Sequence, residues 1–451
     1  MKALSTLFLI AATHAQDAPV IDLTHPFPYS SQEVPDYITR DNTPPDNPIT
    51  DLGATLGRVL FYDSRLSRNQ TVSCASCHQQ EHGFSDPDTA SMGVAGFSGR
   101  HSMRLINARF SDETRFFWDE RADSVEDQAT QPIQDHIEMG FSGTDGDPGF
   151  SDLVDRLSSI EVYQVLFAGV FGDPEVTEER IGKSLAQFVR SIQSFDSRYD
   201  EGRDLTGADG PPFPNFTMEE NDGKILFLRP PAQGGAGCAG CHVPPEFSID
   251  PASRNNGVVS SLSGGTDTTN TRAPSLRDLV DANGQPHGGF MHDASFATLE
   301  EVIEHYNAVP AVVTNLDARL IRPGNLPQEL GLDATEVASL EAFLKTLTGR
   351  RVYTDQQWSD PFDKEGTLQT IVLPTESIEC GREIRQGVRF TTLTAQAVPN
   401  VTYGLQASTD LTHWATVSVT ADAEGWLSLD IPDELGIEAR YFRFIYPVPS
   451  E

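Results

Sequence analysis

The chain has 451 residues, a length that accommodates two or three domains. It carries 66 acidic against 32 basic side chains, a formal charge of −34, with lysine only at Lys2, Lys183, Lys224, Lys345 and Lys364. That surface excludes nucleic acid as a partner; it suits a basic redox protein steered by charge, or equally a saline habitat with no partner involved.

At the N-terminus, Met1-Lys2-Ala3 precedes the apolar run Leu4 to Ala12 and the small-residue site Thr13-His14-Ala15. This is the grammar of a secretory signal peptide over residues 1–15, cut near Ala15, and it predicts a periplasmic or secreted protein. The run is too short to span a bilayer and no later segment is apolar enough, so no membrane span is expected. Residues 16–50, rich in Pro, Asp and Thr, read as an extended arm. A helix is expected from Ile49 to Phe61, with Thr50 or Asp51 as its N-cap and apolar residues at helical spacing.

Next comes Cys74-Ala75-Ser76-Cys77-His78, a pattern that returns as Cys238-Ala239-Gly240-Cys241-His242. C-x-x-C-H is the attachment signal of a c-type haem. Two thiols on one turn add across the porphyrin vinyl groups, and the trailing imidazole reaches the iron as proximal ligand. A redox dithiol has no use for that histidine, and a zinc site would need the two distant Cys/His groups brought together. The motifs use four of the five cysteines and predict two covalently bound haems, with His78 and His242 as iron ligands. Export agrees, because c-type attachment is completed outside the cytoplasm in bacteria. The odd cysteine, Cys380, reads as a buried or free thiol.

Thr177 to Phe195 forms an amphipathic helix with Ile181, Leu185, Phe188, Val189 and Ile192 on one face. The stretch Gly202 to Phe216, dense in Gly and Pro, reads as a hinge. Helices follow at Leu299–Asn307, capped by Thr298, and at Ala334–Leu347. From about residue 366 the texture turns to alternation: Thr367–Leu373, Val388–Leu393, Val401–Ala407, Ala415–Val419 and Tyr441–Ile445, with turn residues between. That is the signature of a small β-sandwich. Within it, Leu405 to Trp414 resembles the S-x-D-L-x-x-W modules appended to exported bacterial proteins, which implies a packing or attachment role.

One grammar occurs twice. Gly57-Arg58-Val59-Leu60-Phe61 before the first motif matches Gly223-Lys224-Ile225-Leu226-Phe227 before the second, and Phe84-Ser85-Asp86 is echoed by Phe247-Ser248-Ile249-Asp250. Such a repeat means two copies of one haem-binding unit. The expected organisation is mainly α: haem domains over 16–201 and 202–355, cytochrome c-like and in tandem, then an all-β domain over 366–451.

With the motifs placed, residues 45–350 resemble the bacterial di-haem cytochrome c peroxidase family and its MauG branch. The marks are Leu56-Gly57-Arg58, Leu60-Phe61-Tyr62-Asp63, Phe117-Trp118-Asp119-Glu120-Arg121-Ala122, Gln128 to Met139, Arg272-Ala273-Pro274-Ser275-Leu276-Arg277 and Met291-His292-Asp293-Ala294-Ser295. The resemblance implies peroxide cleavage at the first haem and electron relay through the second. It also implies that Glu138 is the carboxylate that moves the peroxide proton, with Gln128 lining the same pocket. Alone, Glu138 would be a solvated helix-end charge; His136 is a rival base. Val94 falls where the peroxidases proper carry a distal histidine, which implies an open first haem; His101 is the nearby alternative. Counting fourteen positions on from His292, where the peroxidases have Met and the MauG branch Tyr, reaches Tyr306 (292 to 306). That implies a Tyr306-ligated second haem, with Met291, His292 and His305 as competing ligands. Trp118 matches the tryptophan that bridges the porphyrins. The family's inter-domain Ca2+ remains open, since His101, a poor ligand for a hard cation, stands where its Asn ligand would be.

Two functions follow. One is a peroxidase that uses Glu138, Trp118 and Tyr306, fed by a small redox protein (a cytochrome c or cupredoxin) or by a protein substrate it oxidises. The other is a non-catalytic electron carrier with both irons six-coordinate, against which the Glu138 motif and the missing distal histidine argue.

Overall fold

Helix α1 (Asp51–Tyr62) starts where the Thr50 side chain accepts from the Gly53 N–H. It lies across α6 (Glu178–Ser191), which Thr177 caps in the same way. The crossing is close because Gly57 has no side chain: a Cβ there would collide with the Ser184 carbonyl. Around this pair stand α2 (Cys74–Cys77), α3 (Val125–Gln134), α4 (Phe150–Ser158) and α5 (Glu161–Phe171). The expected face is buried, Ile181, Leu185, Phe188 and Val189 on α6 and Ile192 at its C-cap, where the backbone turns extended and the helix stops short of the expected end at Phe195.

The second unit repeats the crossing. Helix α8 (Met218–Leu228) meets α10 (Ala334–Lys345), and a Cβ on Gly223 would collide with the Ser339 carbonyl. The matched glycines of the repeat are thus the contact points of two equivalent helix pairs. Helix α9 (Leu299–Asn307), capped by Thr298 as expected, packs on α10, and Tyr199 of α7 (Arg198–Thr206) meets Phe343 of the same helix. Short hairpins, β2 (His242–Val243) with β3 (Ser248–Ile249) and β4 (Ile321–Arg322) with β5 (Leu326–Pro327), decorate its loops. The expected hinge is shorter than its composition implied. Helix α7 runs through Gly202 to Thr206 and crosses the anticipated boundary at 201/202.

This computed structural model describes residues 21–112, 114–364, 366–368, 370–373, 378–432 and 441–448. The expected leader, residues 1–15, lies outside them. The C-terminal part is all β: β6 (Ile371–Val372), β7 (Glu379–Arg385), β8 (Val388–Gln396), β9 (Thr402–Ser408), β10 (Ala415–Thr420), β11 (Trp426–Pro432) and β12 (Tyr441–Tyr446). Two sheets form, in the orders β1-β6-β12-β9-β10 and β11-β8-β7. Here β1 (Ile21–Asp22) comes from the N-terminal arm and pairs in parallel with β6. The arm therefore belongs in part to the C-terminal sheet and not wholly to the first haem unit. Strands β7 and β11 were not anticipated; Cys380 sits on β7, exposed and free.

The chain after α10 turns back onto the first unit. The Trp358 indole is buried and donates to Ser191 Oγ at 3.2 Å, Tyr62 Oη donates to the Trp358 carbonyl at 2.6 Å, and Arg58 Nε to the Ser359 carbonyl at 2.6 Å. One hydrophobic core runs from α1 and α6 into the β-sheets, and a second fills the other helical unit. Among the described residues, no helix is long and apolar enough to cross a membrane.

Candidate active site

Each C-x-x-C-H motif opens into its own cavity, of about 460 Å³ in the first unit and about 600 Å³ in the second. Spaces of this size accommodate a cofactor. Cys74, Cys77 and His78 line the first, Cys238, Cys241 and His242 the second, so each predicted triplet is brought together at one wall. Burial pushes the Cys74 thiol up to about 12, Cys77 to about 11, and Cys238 and Cys241 to about 12. A working redox dithiol needs the opposite shift. His78 Nδ1 lies 3.1 Å from the Phe84 carbonyl, a contact that orients a metal-binding imidazole and leaves Nε2 for the metal. Phe84 and Phe247 share a left-handed backbone, φ 57° and 53°, in matching turns after the two motifs.

Opposite the first motif, α3 ends at Asp135, whose Oδ1 accepts from the Ile137 and Glu138 N–H groups at 2.8 and 3.0 Å. This turn puts Glu138 into the cavity, with Gln128 lining it from α3. The Glu138 carbonyl accepts from the Val94 N–H at 3.0 Å, which pins the Val94 loop to this turn; Val94 itself does not line the cavity. Burial, with the Asp135 charge added, pushes the Glu138 carboxyl up to about 7 against the pull of Arg121. A carboxyl so placed gives and takes protons near neutral pH. The rival base His136 does not line this cavity; its Nδ1 lies 2.8 Å from Asp147 Oδ2.

Trp118 lines both cavities. Its Nε1 donates to the His101 carbonyl at 2.8 Å, and its own carbonyl accepts from Thr271 and Arg272 at 2.9 and 3.1 Å. Both halves of the molecule therefore hold it in place. In the second cavity the described candidates for a distal ligand are Tyr306, Met291 and His292; His305 is outside, bonded through Nε2 to the Asn256 carbonyl at 2.9 Å. His292 Nε2 is engaged by the Ser260 carbonyl at 2.8 Å. The Asn256 amide donates to both Tyr306 Oη, at 3.3 Å, and Met291 Sδ, at 3.1 Å. Burial raises the Tyr306 phenol, with Asn256 opposing.

Residues 52–207 match the family model described as di-haem cytochrome c peroxidase. The methylamine utilization protein MauG of Methylophilus methylotrophus is 31% identical over 317 residues, 68% of this chain and 85% of the relative. The chain belongs to the di-haem cytochrome c peroxidase and MauG family. It is an oxidoreductase whose membership implies haem cofactors, and peroxide and redox partners as reactants. Cytochrome c551 peroxidase of Nitrosomonas europaea is 28% identical over 310 residues, 66% of this chain and 80% of that one. A solved MauG-like protein associated with microbial copper homeostasis superposes with a TM-score of 0.58 at 29% identity, covering 73% of this chain and 99% of its own. The diheme peroxidase BthA of Burkholderia thailandensis shares the fold, with a TM-score of 0.51 at 21% identity over 72% of this chain and 91% of that one.

His101 lines the first cavity, its ring Nδ1 3.1 and 3.3 Å from the carbonyls of Asp88 and Thr89. An imidazole is a poor ligand for a hard cation, and among the described residues no group of three or more His, Cys, Asp or Glu side chains is placed to hold a metal ion. The cavities fit haem: both have apolar walls, paired thiols and an imidazole, held by a carbonyl at His78 and buried without a partner on Nδ1 at His242. Sequence reasoning missed Asn256, which lies outside every family block, and the main-chain roles of Asp135 and His101.

Proposed function

We propose that this chain reduces hydrogen peroxide at a haem held covalently by Cys74, Cys77 and His78, while a second haem on Cys238, Cys241 and His242 relays or stores oxidising equivalents. What carries the reading is Glu138, set in the first cavity with a carboxyl near 7, where His78 and His101 are the only lining histidines among the described residues. When bound, the haem supplies an iron that takes up peroxide and accepts its oxidising equivalents. Glu138 accepts the proton from the inner peroxide oxygen and returns it to the outer one as water leaves. Gln128 offers its amide to the departing oxygen. The His101 ring is engaged at both nitrogens, Nδ1 by the Asp88 and Thr89 carbonyls and Nε2 by Ser85 Oγ at 3.5 Å, so its Nε2 is not free to cap the first haem.

Trp118, in both cavities, shortens the path between the two haems. Tyr306 would hold the iron of the second, where a phenolate would favour the oxidised state, with Met291 as the alternative on the same Asn256 amide. Electrons come from a small redox protein, a cytochrome c or cupredoxin whose basic face matches this acidic surface, or from an oxidisable side chain of a protein substrate. The protein is exported, as the first fifteen residues imply.

The test is an optical titration of the resting ferric protein with peroxide. A high-spin haem that reacts without prior reduction is expected; two low-spin haems inert to peroxide overturn the proposal. Tyr306→Phe is expected to move the low-spin spectrum and Met291→Leu to leave it unchanged. The reverse result makes Met291 the ligand and leaves the peroxidase reading standing.

A further inference from the structure

Where the two cavities meet, the charged side chains lining both are Arg104 and Arg272. Arg272 hydrogen-bonds to the Arg115 carbonyl and stacks on Phe116, 4.7 Å from its ring centre. Arg104 is otherwise. Its one hydrogen bond among the described residues runs from Nη2 to the Ser275 carbonyl, 3.2 Å away, and its Nε is buried without a partner. Asp278 and Tyr353 lie in its field. Asp278 Oδ1 accepts from Tyr353 Oη at 2.6 Å and from the Gly349 N–H at 2.8 Å, while its Oδ2 is buried without a hydrogen-bond partner, so Asp278 makes no hydrogen bond to Arg104.

The internal repeat says that the fold does not require this arginine. The main chain of Met103 lies near the His78 ring as that of Pro274 lies near His242, although His242 Nδ1 makes no hydrogen bond, and both residues line the cavity of their own motif. Arg104 therefore stands in the first unit at the register of Ser275 in the second. A guanidinium occupies a place where its structural twin has a hydroxyl, and it reaches the twin's carbonyl across the junction. A half-buried cation with spare donors, its Nε out of contact with solvent and its side chain facing two cavities, is a receptor for anions.

We infer that Arg104 is the shared counter-cation of the two cofactors, binding propionate carboxylates of both porphyrins. The inference rests on both cavities holding haem. Burying those carboxylates in a chain of formal charge −34 would be costly without a cation beside them. One cation between the two haems stabilises the reduced state of each. It also couples them, because the ion pairs it makes with one porphyrin change the field at the other.

The test uses the holoprotein and two variants, R104M and R104K, in a spectroelectrochemical titration of both haems. R104M is expected to lower both midpoint potentials, since a lost positive charge disfavours the added electron. R104K, which keeps the charge but not the fork, is expected to retain most of the potential while shifting the propionate bending modes of both haems in the resonance Raman spectrum. Unchanged potentials, a shift at one haem alone, or R104K falling as far as R104M would overturn the inference. Should R104M not hold its haems, the Raman modes of R104K decide alone: modes unmoved at either haem refute the shared role. A haem assay of the unaltered protein giving fewer than two per chain would fail the peroxidase proposal first, separately from Arg104.

Discussion

Replacing Glu138 by Gln is expected to slow peroxide cleavage by the resting protein by about 10²–10⁴-fold, with haem content and the ferric spectrum retained. Gln keeps the shape and removes the proton acceptor. The pH profile gives an independent check. Burial, with Asp135 adding to it, holds the Glu138 carboxyl at about 7. Below that value the group is protonated and cannot accept the peroxide proton; above it the carboxylate is free to do so. The second-order rate constant with peroxide should therefore rise through about pH 7 in the unaltered protein and be flat in E138Q. Asp135→Asn keeps an acceptor for the Ile137 and Glu138 N–H groups and removes the like charge, so the rise should move to lower pH. Stopped-flow traces across pH measure all three. A rate in E138Q equal to that of the unaltered protein would take Glu138 out of the mechanism.

Much of this site was legible because its chemistry is written in contiguous residues. The five-residue motifs name thiols, imidazole and cofactor together, and the structure puts each triplet on one cavity wall. The repeat was equally legible, since Gly57 and Gly223 answer the same steric demand at two helix crossings. Trp118 and Glu138 were reached through resemblance, not physics. Nothing local in Gln128 to Met139 says that Asp135 turns the chain so that Glu138 faces inward.

What stayed hidden depends on partners distant in sequence. Ile21 pairs with Ile371, and no pattern within residues 16–50 announces a strand whose neighbour is so far along the chain. Strand β7, Glu379–Arg385, is exposed at every residue, so it lacks the alternation by which a half-buried strand is recognised. Strand β11 is different: Leu427, Leu429 and Ile431 do alternate, and the signal was there to be used. The hinge reading gave Gly202 too much weight. Ser197 and Asp200 form a capping box that starts α7, and Gly202 sits within that helix because a Cβ there would meet the Phe213 ring. Asn256 and Arg104 gain meaning only once the loops around two cavities are folded together.

Removing the Arg277 guanidinium, as in R277M, is expected to destabilise the protein by about 3–5 kcal/mol, read as a lower denaturant midpoint. Arg277 is fully buried and meets Asp200 in a two-bond fork, Nη1 to Oδ2 and Nη2 to Oδ1, both 2.9 Å. It also donates to the Ser194 and Pro245 carbonyls, while Asp200 accepts from Tyr37 Oη at 2.9 Å. One ion pair thus joins the arm, α7 and the loop after the second motif. The large effect comes from what is left behind, a carboxylate out of water without its cation. Replacing both partners, R277M with D200L, should therefore cost less than R277M alone. The sign with pH follows from Asp200. Burial alone would raise its carboxyl, but Arg277 and Ser197 outweigh that and hold it below the usual range. Its stabilisation is present above the unfolded carboxylate range, near 4, and is lost as pH falls through the lower folded value. In R277M the balance reverses: burial dominates, the folded carboxyl rises, and the variant should lose stability as pH increases from 4 towards neutrality. An R277M protein whose midpoint is unchanged, or whose loss is the same at pH 4 and pH 7, would show that the pair does not stabilise the fold as argued.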